Sequence, residues 1–261
     1  MSLRHLLLSF VACLAMAGPV AGEERTTILV AAAADLKFAL DEVLVHFSKE
    51  QPGIEAKVTY GSSGSLFAQI DNGAPFDLYL SADARLPMKL IDAAKGEKET
   101  LFHYARGHLV LWVPEQSKLD VGKGMQSLLD PKVRKVAIAN PEVAPYGIAA
   151  VAAMKTAGVY EAVKPKLVLG ENVAQALQFI ESGGAEAGIV ALSLALAPPL
   201  KEKGRYWEVP TDTFPALEQA GVICKGGTHR DAAMKLRAFL MSPAGREVLR
   251  GYGFLLPDDT R

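Results

Sequence analysis

Short apolar runs alternate with longer segments of helical periodicity along most of the chain. Residues 26–33 are apolar on both faces, as in a strand of a parallel sheet. The segment from Leu36 to about Glu50 then repeats its apolar positions at three–four spacing, which predicts a helix. Residues 54–60 alternate with a period near two, and a short apolar helix is predicted to start near Leu66. This succession predicts β-α-β units and therefore a doubly wound α/β sheet.

The same alternation continues to the C-terminus. Further strands are predicted at residues 77–81, 108–113, 135–139, 166–169, 188–192, 206–209 and 218–224. Helices are predicted at residues 82–91, 148–156, 173–180, 234–240 and 245–249. The pattern contains no internal repeat, so the chain is not predicted to be a solenoid or an array.

Four loops in this pattern follow a strand and precede a helix. They are residues 33–35, 61–64, 140–147 and 170–173. Ligands of open α/β sheets bind outside the carboxyl ends of the strands, where helix N-termini present free N–H groups to anions. The Gly/Ser loop that contains Ser62 and Ser63 suits this role, although it also fits an ordinary strand-to-helix turn capped by serine. Convergence of the four loops would form a cage for an anion.

The first 22 residues have the features of a secretory signal peptide. A basic start at Arg4 precedes an apolar run over residues 6–17, and small residues then lead into a polar segment. The apolar run is too short to span a bilayer comfortably. We therefore expect residues 1–22 to be a signal peptide, with cleavage after Ala21 or Gly22, and the protein to be exported.

Composition limits the partners of the exported chain. Loss of Arg4 leaves 27 basic and 29 acidic residues without a basic run, so nucleic acid is not an expected partner. Cys224 would be the only remaining cysteine, which rules out an internal disulfide and fits a bacterial periplasm. The remaining length of about 240 residues suits two lobes of moderate size.

The sequence lacks the motifs of a hydrolase, a nucleotide-binding enzyme or a metalloenzyme. Ser65 stands where a nucleophile motif around Ser63 requires glycine, and no dinucleotide or Walker loop is present. The histidines outside the signal lack metal-ligand spacing; they are His46, His103, His108 and His229. No cofactor is predicted. The rival hypothesis, an exported hydrolase or transferase acting on a phosphorylated small molecule, would need a base beside Ser63, and the nearest acid in sequence is Asp71.

Several stretches together resemble one known family. They are Ala31-Ala32-Ala33-Ala34-Asp35-Leu36, Tyr60-Gly61-Ser62-Ser63-Gly64, Asn72-Gly73-Ala74-Pro75-Phe76-Asp77-Leu78, Ser81-Ala82-Asp83, Asn140-Pro141-Glu142, Pro145-Tyr146-Gly147, Gly188-Ile189-Val190 and Tyr252-Gly253-Phe254. In this order and spacing the chain resembles the periplasmic molybdate-binding proteins of bacterial ABC transporters, over about residues 28–257.

The resemblance implies a type II periplasmic binding protein with two lobes. Each lobe is then a mostly parallel sheet flanked by helices, with the ligand cleft between the lobes. The expected boundaries are residues 24–106 plus 216–261 for lobe one and 107–215 for lobe two, with a hinge near residues 106–109 and 218–222. The implied function is capture of molybdate or tungstate, without enzymatic activity, and delivery to a permease in the inner membrane by a monomer.

The resemblance also implies a site made of neutral hydrogen-bond donors. The hydroxyl on the second loop is then Ser63, with Ser62 adjacent, and the first loop adds Ala34 and Asp35. Backbone donors of the second lobe fall at Tyr146 and Val173. A cage of N–H and hydroxyl groups selects an anion by size and direction, so no lysine or arginine needs to contact it.

Asp35 departs from the family pattern, since serine is often found at this position. An ionised carboxylate cannot donate to a dianion and would repel it. Asp35 also lies where the first helix needs an N-cap, and we expect it to be a cap that faces away from the ligand. The alternative is direct contact, in which the carboxylate would accept the hydrogen of a protonated oxyanion.

A second departure is Ala191, where the family often has tyrosine. Tyr146 is a candidate to compensate for its loss. These departures leave the identity of the ligand open between molybdate, tungstate, another oxyanion and a small organic anion.

Overall fold

The computed structural model describes residues 25–259, so the predicted signal peptide lies outside the described residues. Within this range the chain forms ten strands: β1 Thr26–Ala33, β2 Ile54–Gly61, β3 Leu78–Ser81, β4 Phe102–Gly107, β5 Leu109–Pro114, β6 Val136–Ala139, β7 Leu167–Gly170, β8 Ala187–Ala191, β9 Gly204–Glu208 and β10 Leu217–Ile223.

The described residues also form nine α-helices: α1 Lys37–Glu50, α2 Ser63–Asp71, α3 Arg85–Asp92, α4 Pro145–Thr156, α5 Tyr160–Val163, α6 Val173–Glu181, α7 Leu192–Ala195, α8 Arg230–Leu240 and α9 Pro243–Gly251. Short 3-10 segments lie at Ala34–Leu36, Lys98–Thr100, Val121–Leu129, Lys164–Lys166 and Thr211–Thr213. The stripe predicted for α1 is confirmed, because Leu40, Val43 and Phe47 are all buried. No helix among residues 25–259 is long and apolar enough to cross a membrane.

The strands form two five-stranded sheets with related topologies. The first has the order β2-β1-β3-β10-β4 and the second the order β7-β6-β8-β5-β9. In each sheet three neighbouring strands are parallel, and two further strands pair antiparallel beside them. The two-lobed α/β prediction is confirmed, with sheets that are mixed, since half of the pairings in each are antiparallel.

The chain crosses between the sheets twice. His108 alone separates β4 from β5 on the way out, and residues 209–216 connect β9 to β10 on the way back. Residues 218–222, which we expected in the hinge, lie in β10 directly after the return crossing and pair with β3 and β4.

Two elements differ from the sequence prediction near the site. Helix α2 begins at Ser63, three residues before Leu66, because Ser62 caps it. Strand β4 was not predicted as a strand, since its polar and apolar residues do not alternate in a simple pattern. Both differences matter for function, because they determine which groups face the space between the lobes.

Candidate functional site

The N-termini of three helices meet at one small cavity between the two sheets. Its lining consists of Ala33, Ala34, Asp35, Gly61, Ser62, Ser63, Ala82, Ala144, Pro145, Tyr146, Asn172 and Val173. The structure thus brings together all six residues singled out from the sequence, which come from four separate loops.

The start of α2 leaves one hydroxyl proton free in this cavity. The hydroxyl of Ser62 accepts from the Ser65 amide at 3.2 Å and donates to the Ser65 hydroxyl at 2.8 Å, so it is a helix cap. The buried hydroxyl of Ser63 accepts from the Ala82 amide at 3.0 Å. Its proton has no acceptor among the described residues. Ser63 is therefore a ready donor, whereas the Ser62 proton is already used.

A buried tyrosine holds the same turn in place through a hydrogen bond to its backbone. The hydroxyl of Tyr79 donates to the carbonyl oxygen of Ser63 at 2.7 Å, and Tyr79 is fully buried in β3. Together with the Ala82 amide, this bond holds both the backbone and the side chain of Ser63. The local geometry is thereby set before any ligand arrives.

The start of α4 depends on a close approach to β6. Pro145 occupies the first turn, where its missing N–H costs nothing, and the next residue is Tyr146. A Cβ on Gly147 would lie 2.2 Å from the carbonyl oxygen of Ala139, so only glycine fits there. The Tyr146 amide, within the first turn, has no intrahelical acceptor and faces no other acceptor among the described residues.

The start of α6 is capped by Asn172, as the sequence predicted. Its Oδ1 accepts from the amides of Ala174 and Gln175, both at 3.0 Å. The Gln175 side chain reaches back to accept from the Glu171 amide at 2.7 Å. Val173, the first residue of the helix, keeps an amide without an acceptor among the described residues and lines the cavity.

This cap leads to a stability prediction for Asn172→Ala. Losing the acceptor for two amides should lower the free energy of unfolding by about 1 kcal/mol. Asn172→Asp keeps a capping oxygen and should preserve the stability. Denaturant melts of the two variants and the parent measure the difference, and equal midpoints for all three would show that the cap contributes nothing.

The expectation that Asp35 caps the first helix is wrong. Asp35 lies in the 3-10 turn Ala34–Leu36, and neither that turn nor α1 has a side-chain cap. Its Oδ2 instead accepts from the hydroxyl of Tyr146 at 3.0 Å and from the side-chain amide nitrogen of Gln219 at 2.5 Å. The side chain therefore faces Tyr146 of the opposite lobe and Gln219 of its own lobe rather than its own helix.

The Asp35 carboxyl group is almost completely removed from water. The residue is 1% exposed, and its Oδ1 has no hydrogen-bond partner among the described residues. Burial raises the pKa of Asp35 to about 6, and the bonds from Gln219 and Tyr146 offset only part of that rise. Burial, followed by the nearby Asp35 charge, raises the pKa of Tyr146 well above 10, so that phenol stays neutral.

Tyr146 does not replace the tyrosine missing at Ala191. Its hydroxyl proton is donated to Asp35 and so is engaged within the protein. Ala191 itself is buried at the end of β8 and is not part of the cavity lining. The contribution of Tyr146 to the cavity is its backbone amide.

Four hydrogen bonds among the described residues join the lobes around the cavity. The Ser193 hydroxyl donates to the carbonyl oxygen of Asp35 at 2.7 Å, and the Gly64 amide donates to the carbonyl oxygen of Val143 at 2.9 Å. The other two involve the Tyr146 hydroxyl, which donates to Asp35 and accepts from the side-chain amide of Gln219 at 3.5 Å. The structure is accordingly a closed form, in which the opposing loops already touch.

Sequence reasoning missed Gln219 and Ser193. Gln219 is fully buried in β10 between Glu218 and Ala220, and Ser193 lies between Leu192 and Leu194 directly after the buried strand β8. The available signal was a polar side chain in a buried segment, inside an apolar run for Ser193 and next to Glu218 for Gln219. It indicates a buried hydrogen bond without revealing the partner, which for both residues is Asp35.

Among the described residues, Asp35 is the only ionisable acid or base with a charged form near neutral pH in the cavity lining, which has no lysine, arginine or histidine. Among the described residues no cluster of three or more histidine, cysteine or acidic side chains is placed to hold a metal ion. Asp71, the base that a hydrolase hypothesis would need, lies at the opposite end of α2, about 12 Å along the helix from Ser63. It is paired there with Lys95.

A model of the bacterial extracellular solute-binding proteins matches residues 28–255, nearly the whole described chain. This chain belongs to that family. One relative of this chain is the molybdate-binding protein ModA of Rhodobacter capsulatus. The two are 37% identical over 87% of this chain and 88% of the relative.

Two further comparisons involve Azotobacter vinelandii. Its molybdate-binding protein ModA is 36% identical over 88% of this chain and 90% of the relative. A solved structure of a periplasmic molybdate-binding protein from the same organism superposes with a TM-score of 0.82, at 30% identity, and covers 88% of this chain and 99% of that one. The resemblance stated from the sequence is thereby confirmed.

Proposed function

We propose that this protein captures molybdate or tungstate in the bacterial periplasm and delivers it to the membrane permease of an ABC transporter. One observation carries the proposal: two backbone amides and one hydroxyl proton, without acceptors among the described residues, converge on a cavity whose described lining has no lysine, arginine or histidine. Such donors favour a small anion. The names of the relatives support molybdate as that anion.

In this proposal the ligand is held by Ser63 from one lobe and by the amides of Tyr146 and Val173 from the other. Ser62 caps helix α2, and Ala34 and Asp35 form part of the cavity wall. Closure removes water from around the anion, which strengthens every hydrogen bond to it. The oxyanion is cargo rather than a cofactor, and no chemical step on it is required.

The remaining parts of the proposal concern the chain as a whole. Lobe one is residues 24–106 plus 216–261 and lobe two is residues 107–215, with closure about the two crossings between them. Residues 1–22 direct export and are then removed. The released protein acts as a monomer that binds its permease at the inner membrane. It has no enzymatic activity and does not bind nucleic acid.

The proposed ligand leads to a prediction on thermal stability. A ligand that binds only the native state, at a hundred times its dissociation constant, stabilises it by about 2.7 kcal/mol. We therefore expect molybdate and tungstate to raise the melting temperature of the exported chain clearly, and sulfate to raise it much less. Differential scanning fluorimetry over a concentration series measures these shifts.

The same series tests the alternative ligands. Phosphate, arsenate and small organic anions are included as separate arms. If millimolar molybdate and tungstate leave the melting temperature unchanged, the proposed ligand is excluded, and a shift with another anion identifies its replacement. Incubation of concentrated protein with phosphoesters checks for hydrolysis, which we expect to be absent.

A further inference from the structure

The buried carboxyl group of Asp35 has no role in a site made only of donors. It lines the cavity, and its Oδ2 is fixed by two donors from different elements, Tyr146 on α4 and Gln219 on β10. The other oxygen, Oδ1, is buried without a partner among the described residues. The carboxyl group is thus held in one orientation, and its Oδ1 is the oxygen that remains without a hydrogen bond.

Nothing around Asp35 compensates a negative charge with a positive one. The groups facing its carboxyl group are the phenols of Tyr146 on α4 and Tyr104 on β4 and the side-chain amide of Gln219. The Ser193 hydroxyl beside β8 donates instead to the main-chain carbonyl oxygen of Asp35. The elements α1, α6 and α7 also pack on its turn. Neither the cavity lining nor the hydrogen-bond partners of Asp35 include a lysine, arginine or histidine among the described residues.

An oxyanion in this cavity would face that carboxyl group at close range. Two negative charges in a site closed to water repel strongly, and the usual outcome is that one of them takes up a proton. A proton between Oδ1 and an oxyanion oxygen would convert the repulsion into a hydrogen bond. It would also provide the only missing partner for Oδ1.

Resting on the proposed function, we propose that Asp35 couples capture of the oxyanion to uptake of one proton, which Oδ1 and the bound anion share in the closed complex. Asp35 is then a specificity-determining residue. It favours oxyanions that accept or share a hydrogen, and it selects against those that remain fully ionised. A serine at this position, as in the family pattern, would donate its own hydrogen and need no proton from solvent.

The direction of the pH dependence follows from the two states of Asp35. In the open form the carboxyl group meets water and is ionised above its ordinary pKa near 4. In the closed form burial already raises the pKa to about 6, and a bound anion raises it further. Between these limits binding takes up a proton, so the dissociation constant should increase by up to about tenfold for each pH unit from 6 to 8.

Isothermal titration calorimetry with molybdate tests the coupling directly. Parent, Asp35→Asn and Asp35→Ser are compared at pH 6, 7 and 8, each in two buffers of different ionisation enthalpy, which yields the number of protons taken up. We expect close to one proton for the parent at pH 7 and close to none for either variant. Both variants should bind at pH 8 at least about tenfold more tightly than the parent, with little dependence on pH.

The comparison separates Asp35 from the titration of the ligand itself. Protonation of molybdate would affect all three proteins equally, so only the difference between them reports on Asp35. The coupling is overturned if the parent binds molybdate without proton uptake and with constant affinity, or if both variants keep the pH slope of the parent. If one variant fails to fold, as judged by circular dichroism, the parent proton count and the other variant still decide the question. Absence of binding by every folded protein at every pH would instead overturn the proposed function, and the coupling with it.

Discussion

Replacing Gly64 by alanine is expected to weaken oxyanion binding by more than a hundredfold. A Cβ at this position would lie 2.5 Å from the carbonyl oxygen of Val143 in the other lobe, where the Gly64 amide now donates its hydrogen bond. Backbone must move, and the lobes cannot close fully. The amides of Tyr146 and Val173 would then miss the anion. Each such bond to a charged group contributes about 1.5–3 kcal/mol, and a loss of 3 kcal/mol exceeds a hundredfold in affinity.

The fold should survive this substitution, which makes the result informative. Gly64 lies in the first turn of α2, and alanine is a better helix former than glycine there. The matched control is Gly53→Ala, since a Cβ on Gly53 would meet no atom within 4 Å. Calorimetry should show parent-like affinity for the control. If Gly64→Ala also binds like the parent, closure through this contact is not needed for capture.

Ser63→Ala is expected to weaken binding by roughly 1.5–3 kcal/mol, or about ten- to 150-fold. The hydroxyl proton of Ser63 has no acceptor among the described residues, so we expect it to donate to the anion, and a hydrogen bond to a charged group has this magnitude. The substitution also removes the acceptor of the buried Ala82 amide. A moderate loss of stability should therefore accompany the loss of affinity.

Ser65→Ala is the matched control for Ser63. Ser65 lies on the same turn of α2 and bonds to Ser62, yet it does not line the cavity. Titration with molybdate should separate the two variants clearly. Equal affinity of Ser63→Ala and the parent would remove the hydroxyl from the site, and an equal loss in both variants would indicate a general disturbance of the turn.

Local periodicity predicted most of the fold because it reports burial directly. The runs that became β1, β3 and β8 are apolar on consecutive positions, as expected for strands covered on both faces. Strand β4 escaped prediction because His103 and Arg106 interrupt its apolar residues. It lies at the edge of the first sheet, where β10 pairs with it on one side and Leu255 bridges it at Arg106 on the other. Both partners are more than 100 residues distant along the chain, so local periodicity does not reveal them.

The site was predictable where its chemistry is local to a loop. A helix cap such as Asn172 acts on amides two and three residues away, and a sequence contains that information. The environment of Asp35 is different, because its partners are 111 and 184 residues distant along the chain. A carboxylate before a helix favours the cap hypothesis on local grounds. The cap hypothesis fails because α4 and β10 pack against the first loop in the folded chain and bring Tyr146 and Gln219 to the Asp35 side chain.

The position of β10 in the first sheet has a consequence for biosynthesis. The second sheet is encoded by one continuous stretch, from β5 to β9, and is complete when Glu208 has been made. The first sheet must wait for residues 217–223, because β10 lies between β3 and β4 and, within residues 25–259, is the only strand that pairs with β4. Until then a nascent chain carries an open sheet edge at β3, a known route to aggregation. Chains that end before β10 would therefore keep a finished second lobe beside a first lobe that cannot close its sheet.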